Sequence, residues 1–213
     1  MTPLLDLFKS ASDRHFPKGQ IILYEGDPVN RLYQIDEGFV KVYNILADGT
    51  ERIIFIYGPG DIFPLTSYLS GFGVARYFYE CMKEAKVKVM NLAIFENKIK
   101  GKPELAQEMI KYSYLTNQQF VQRIDILSVN DTRRKIISLL AFLLAKAGDK
   151  SGKLNLTLTS KDFADLAGVT RETVSVQLNK LRRDGLISGN HQIIVDVNYL
   201  NKLKIKYSIP KFA

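Results

Sequence analysis

One cysteine, Cys81, and two histidines, His15 and His191, are the only thiol and imidazole side chains in this chain of 213 residues. A single cysteine excludes an internal disulfide, and it excludes an iron–sulfur cluster held by four cysteines of one chain. Cys81 therefore reads as a small buried hydrophobe. Two histidines far apart in sequence are too few for a metal site built on converging imidazoles. The chain also lacks any apolar run approaching the roughly 18 residues that a membrane span needs. Its first residues, MTPLLDLFKSASDRHF, do not have the layout of a signal peptide, so a cytoplasmic protein is expected. Catalytic signatures are missing as well. We find no nucleophile–base pairing, phosphate-cradling glycine loop or metal spacing, and no enzyme activity and no cofactor are expected.

What the chain does have is charge, unevenly placed. The formal net charge is +8, yet residues 1–130 hold 15 basic and 15 acidic side chains, against 15 and 7 in residues 131–213. A neutral part joined to a basic part is the pattern expected when only one domain meets nucleic acid. The apolar fraction of 46% is enough to build real cores.

Within the basic part, Thr159 to Leu186 has the grammar of a helix-turn-helix. Thr159 and Asp162 form a capping pair for a first helix, whose buried side is Phe163, Ala164, Leu166 and Ala167. Gly168 can take the positive φ that a sharp turn demands, and Val169 plugs that turn. Thr170 caps a second helix in which Val174, Leu178 and Leu181 recur at spacings of four and three. Its other face carries Arg171, Glu172, Ser175, Gln177, Asn179, Lys180 and Arg182, groups suited to base edges and phosphates. After Gly185-Leu186, the run ISGNHQIIVDV reads as two short strands joined by Gly-Asn, a hairpin wing.

Upstream, a short N-terminal helix precedes brief strands over residues 16–63. Gly19, Gly26, Gly38, Gly49 and Gly60 fall at turns 7 to 12 residues apart. Short, evenly spaced strands with alternation in FVKVY argue for an antiparallel barrel or jelly roll, finished by residues 74–95. From Pro103 to Val129 a long helix follows, its apolar residues too widely spread for one stripe, so that one side can pack on the β-roll and another on a partner helix. Asn130-Asp131-Thr132 interrupts the pattern and caps the helix RRKIISLLAFLLAKAG, which closes at Gly148; the hinge is placed here. KSGKLNLTL makes a turn and a short strand. Residues 192–213 supply the wing's return strand and a basic tail.

The run LTSKDFADLAGVTRETVSVQLNKLRRDGLIS resembles the DNA-binding domain of the bacterial cyclic-AMP receptor protein and fumarate–nitrate reduction regulator (Crp/Fnr) family. The motifs PKG, EGD, DEG, DG and PGDIF resemble the cyclic-nucleotide-binding β-roll of the same family. The resemblance implies an α+β chain with an N-terminal antiparallel β-roll, a long dimerisation helix and a C-terminal winged helix-turn-helix. The expected boundaries are 1–102, 103–130 and 131–213. It implies transcription regulation by a homodimer on double-stranded DNA, with RNA polymerase a further partner. Arg171, Glu172 and Ser175 match the family's reading positions. Val176 stands where the family commonly has arginine and can offer a base only apolar contact, which puts the usual half-site in doubt. Thr159, Lys161, Thr170, Thr173 and Lys180 are expected on phosphates.

In the sensor half the resemblance meets departures. Family members that bind the nucleotide carry Gly-Glu-Leu-Gly after the glycine–aspartate turn, and an Arg-Ser pair downstream for the phosphate. Here Gly60-Asp61-Ile62-Phe63 is followed by Pro64-Leu65-Thr66-Ser67. Proline has no N–H to donate, and leucine cannot accept a hydrogen bond. Arg76 falls one position late and is followed by Tyr77, while Gln119-Phe120 stand where hydroxyl residues would touch the base. The expected effector is therefore not cyclic AMP. An effector pocket is placed at Phe63, Leu65, Arg76, Tyr77 and Phe120. Another ligand, haem or gas sensing, and a DNA-binding state without ligand all remain open. A second function class, a small-molecule sensor whose helix-turn-helix contacts protein, also stays open.

Overall fold

In the computed structural model, residues 2–189, 192–207 and 209 are described. The chain opens with α1 (Pro3–Asp6) and a 3₁₀ turn at Leu7–Ser10. The strands follow as β1 (Ser12–Phe16), β2 (Ile21–Leu23), β3 (Arg31–Glu37), β4 (Val40–Ile45), β5 (Glu51–Tyr57) and β6 (Ile62–Phe63). After α2 (Leu65–Leu69) come β7 (Phe78–Cys81), β8 (Ala85–Asn91) and α3 (Leu92–Ile99), then the long α4 (Pro103–Ser128). The remainder is α5 (Thr132–Ala147), α6 (Ser160–Ala167), α7 (Arg171–Arg183), the pair β9 (Ile187–Ser188) and β10 (Ile194–Val195), and α8 (Val197–Lys206).

The contacts divide this chain into two units, Met1–Asn44 with Phe55–Gln118, and Ile45–Ile54 with Gln119–Ala213. The first is built on the β-roll, whose two antiparallel sheets run β1-β8-β3-β6 and β2-β7-β4-β5. Gly19, Gly26, Gly38, Gly49 and Gly60 all take positive φ, as turns between short strands require. Inside, aromatic rings stack one on the next. Phe63 lies 5.1 Å from Tyr33, 5.7 Å from Tyr57 and 5.4 Å from Tyr79, with interplanar angles of 11°, 26° and 14°. A second cluster, Leu4, Phe8, Leu32, Ile62, Leu65, Met90, Phe95 and Met109, joins the N-terminal turns to the start of α4.

Two strand-level expectations are corrected here. Ser12–Phe16 is a strand paired along its length with β8, from Ser12 opposite Val89 to Phe16 opposite Ala85. The sequence SDRHF hides it because four of its five side chains are exposed, so no apolar alternation marks it. Residues 92–95 belong to α3, capped by the Asn91 side chain, rather than to the β-roll.

In the second unit, α5 is buried along Ile136–Phe142 and Leu143 and forms the centre on which α6, α7 and α8 pack. Asp131 caps α5 by accepting from the Arg134 amide. The segment after α5 makes isolated bridges, Gly148 to Leu154 and Lys153 to Ile194, in place of the short strand expected there. Residues 197–206 are helical, and the helix takes in the first residues of the basic tail NKLKIKYSIPKFA expected at 201–213. Asp196 caps α8 by accepting from the Tyr199 amide, and Leu200 and Leu203 are buried. The capping aspartate and the three-residue spacing of those leucines were the available signal. Residues 208 and 210–213 of the expected tail lie outside the described residues.

Candidate nucleic-acid interface

Local chemistry shapes the helix-turn-helix from its first residue. The Thr159 hydroxyl accepts from the Asp162 amide at 3.1 Å, and the Asp162 carboxylate accepts from the Thr159 amide at 2.8 Å, a reciprocal capping box. On α6 the four residues Phe163, Ala164, Leu166 and Ala167 are buried, as their spacing requires. The helix ends at Gly168 with φ +64°, a left-handed geometry in which any Cβ is strained. Val169 is half-buried in the turn. Thr170 then caps α7 by accepting from the Thr173 amide.

Val174, Leu178 and Leu181 are 0%, 5% and 0% exposed, which fixes the inner face of α7 and therefore its outer one. Arg171, Glu172, Ser175, Val176 and Lys180 are exposed along that outer face. The carboxylate of Glu172 is held below its usual range by its own backbone N–H and by the Thr170 hydroxyl. Arg182 donates from Nη1 to Asn179 Oδ1 at 3.1 Å and from Nε to Gly189 O at 3.4 Å, tying the wing's root to α7. The wing strands pair as expected, Ile194 with Ser188 and Val195 with Ile187. Of the Gly-Asn turn between them, Asn190 lies outside the described residues, as does His191.

Of the residues expected on phosphates, Thr159, Thr170 and Lys180 are exposed, and Thr173 is half-buried with its hydroxyl 2.9 Å from that of Thr170. Lys161 is held differently. Its Nζ donates to Glu51 and to Asp165, the latter at 2.9 Å. Burial pulls the Lys161 ammonium down, but its two carboxylate partners outweigh burial and hold it above the usual lysine range.

The residues placed in the effector pocket are distributed as follows. Phe63 and Leu65 are fully buried in packed aromatic and aliphatic surroundings. Arg76 is exposed, with its guanidinium 4.5 Å from the Phe72 ring centre. Tyr77 and Phe120 are half-buried, and Phe120 falls in the second unit. A residue that sequence reasoning missed is Tyr112 of α4. Its hydroxyl accepts from the Ile62 amide at 2.8 Å and donates to the Ile62 carbonyl at 3.0 Å, at the turn that departs from the nucleotide-binding motif. No sequence signal marks a tyrosine in a helix as a partner for a strand 50 residues away.

A β-roll, a long helix and a winged helix-turn-helix with a polar, partly cationic outer face define a DNA-binding regulator. Residues 13–101 match the cyclic nucleotide-binding domain, and residues 134–203 match the Crp-like helix-turn-helix domain. The chain belongs to the Crp/Fnr family of transcription regulators. It is 28% identical to the global nitrogen regulator of Synechococcus elongatus, over 86% of this chain and 84% of that protein. It is 27% identical to a CRP-like cAMP-activated global transcriptional regulator of Mycobacterium tuberculosis, over 89% of this chain and 87% of the relative. The structure of FixK2 from Bradyrhizobium japonicum superposes with a TM-score of 0.80 at 24% identity, covering 91% of this chain and 96% of that one, a likeness of fold.

Proposed function

We propose that this regulator works as a homodimer that sets one α7 helix into each of two successive major grooves of a near-palindromic site. The half-sites then lie about 34 Å apart, one turn of the duplex. The observation that carries the DNA reading is the exposed row on α7, Arg171, Glu172, Ser175 and Val176, above a buried row of Val174, Leu178 and Leu181. Arg171 pairs with guanine O6 and N7, Glu172 accepts from cytosine N4, Ser175 reads one turn on, and Val176 meets a thymine methyl. Thr159, Lys161, Thr170, Thr173 and Lys180 contact phosphates and set register. The working division is a sensor domain at 1–102, a dimerisation helix and hinge at 103–130, and the DNA-binding domain at 131–213, in a cytoplasmic protein. RNA polymerase is a further partner.

The homodimer is supported by α4. Ile110, Tyr114, Val121 and Ile124 are 70%, 61%, 47% and 61% exposed, and with Asn117 between them they recur at spacings of four and three. That is the seam of a two-stranded coiled coil, with Asn117 as the polar residue that fixes register.

Cyclic AMP, the activator in the name of the mycobacterial relative, does not carry over to this chain. Pro64 offers no N–H, Leu65 is buried in the aliphatic core, and stacked aromatic rings occupy the β-roll. Isothermal titration with cyclic AMP and cyclic GMP should give no binding at micromolar concentration; micromolar or tighter binding refutes this part of the reading. For the DNA itself, anisotropy on genomic duplexes should show affinity falling steeply with salt, the signature of counterion release. Salt-independent retention of a protein partner and no duplex binding would favour the sensor-and-interaction alternative.

A further inference from the structure

We infer that Arg123, near the end of α4, is a positioning residue for DNA reading, which fixes the elbow of the helix-turn-helix and through it the entry angle of α7. The inference rests on the DNA-binding function and concerns the second unit alone. Arg123 is 2% exposed, and its Nη2 donates to the carbonyl of Leu166 at 2.6 Å. Leu166 is the penultimate residue of α6. The amides that follow the helix, Gly168 and Val169, both go to the Ala164 carbonyl, so the side chain of Arg123 caps this end. A cation at a helix C-terminus is also electrostatically favoured. One helical turn beyond Arg123, on the same face of α4, the Leu127 Cδ2 lies 3.4 Å from where a Cβ on Gly168 would stand. The last turns of α4 thus hold the elbow at two points, Leu166 and Gly168, immediately before the Thr170 cap and the reading residues Arg171 and Glu172.

The rest of the guanidinium is poorly served. Among the described residues, Arg123 Nε and Nη1 have no hydrogen-bond partner. The Arg123 Cζ lies 5.6 Å from the Phe142 ring centre of α5, and burial pulls the pKa of the guanidinium down to about 10. A buried cation with one strong acceptor and two unpaired donor atoms is a poor stabilising device, and an apolar side chain of similar length would pack there without desolvating a charge. What only the arginine supplies is a directed bond from α4 to the elbow. Such a bond fixes the orientation of one element against another, where apolar contact leaves it free to slide.

A structural role and a positioning role therefore part company in Arg123→Met. The experiment uses the full chain, a duplex selected from a random pool by the unsubstituted protein, and a scrambled duplex of the same length. Thermal unfolding and sedimentation accompany the anisotropy titrations. Arg123→Met should unfold at or above the temperature of the unsubstituted protein and keep its oligomeric state. It should lose about tenfold to a hundredfold in affinity for the selected duplex, a loss on the scale of a misplaced base contact, with the scrambled duplex bound as before. Arg123→Lys, which keeps a donor for the Leu166 carbonyl, should recover part of the lost discrimination. The inference is overturned if Arg123→Met discriminates as well as the unsubstituted protein. It is overturned equally if stability and binding fall together, or if the lysine variant does no better than methionine. Failure of the unsubstituted protein to select any duplex sinks the DNA reading and this inference with it, an outcome distinct from a selecting protein whose methionine variant matches it.

Discussion

At the scale of single residues, the sharpest contrast is between side chains that serve the fold and those that serve the surface. Cys81 is fully buried, and burial, helped by the Glu80 charge, pushes its thiol up to about 12. The native protein should resist thiol reagents at neutral pH and react only once unfolded, which a colorimetric titration with and without denaturant would show; rapid native reaction would contradict its place in the core. Tyr79, desolvated in the ring stack, is likewise raised to about 12. Both groups prefer their protonated form when folded, so their contribution to stability is intact below the unfolded pKa values. It is lost as pH climbs from about 9 through about 12, and urea midpoints should fall over that window. On the outer face, Arg171→Ala should cost about 1 to 3 kcal/mol on a selected duplex and relax specificity at one position. Equal losses on selected and random duplex would remove Arg171 from the reading set.

Among the elements, the helix-turn-helix was legible almost residue by residue, because its determinants are local. Thr159, Asp162, Gly168 and Thr170 act on backbone groups within three or four positions of themselves. Gly168→Ala should therefore lower stability by about 1 to 2 kcal/mol through the φ of +64°. Thr159→Ala should lower it by about 1 kcal/mol through the lost cap. Chemical denaturation of each variant checks both, and a glycine variant as stable as the parent would mean that the elbow relaxes to negative φ. The elements that escaped notice are those whose formation depends on a neighbour. The strand Ser12–Phe16 exists because β8 offers it a ladder, and its own side chains are mostly exposed. The helix Val197–Lys206 packs on α5 and buries two leucines, Leu200 and Leu203, in a stretch that overlaps the expected basic tail.

For the molecule as a whole, the α4 seam carries the expectation of a dimer. Ile124→Glu, placed at a 61% exposed position of one helix, should leave each chain folded and shift sedimentation toward the monomer. Affinity for a two-half-site duplex should fall with it, since one winged helix reads only a half-site. An unchanged sedimentation coefficient would move the interface elsewhere. The winged helix and the antiparallel β-domain were legible in the sequence, since they rest on periodicity, caps, turn glycines and a basic excess confined to residues 131–213, and the class of protein was legible through the resemblance of those motifs to the Crp/Fnr family. Other features belong to tertiary structure. Tyr112 grips both backbone groups of Ile62, aromatic rings fill the β-roll, Glu51 engages Lys161, and Arg123 reaches the Leu166 carbonyl. Each of the three polar pairings joins residues more than 40 positions apart through a single side chain, and such a pairing leaves no period in the chain; only the folded backbone brings its two halves within reach.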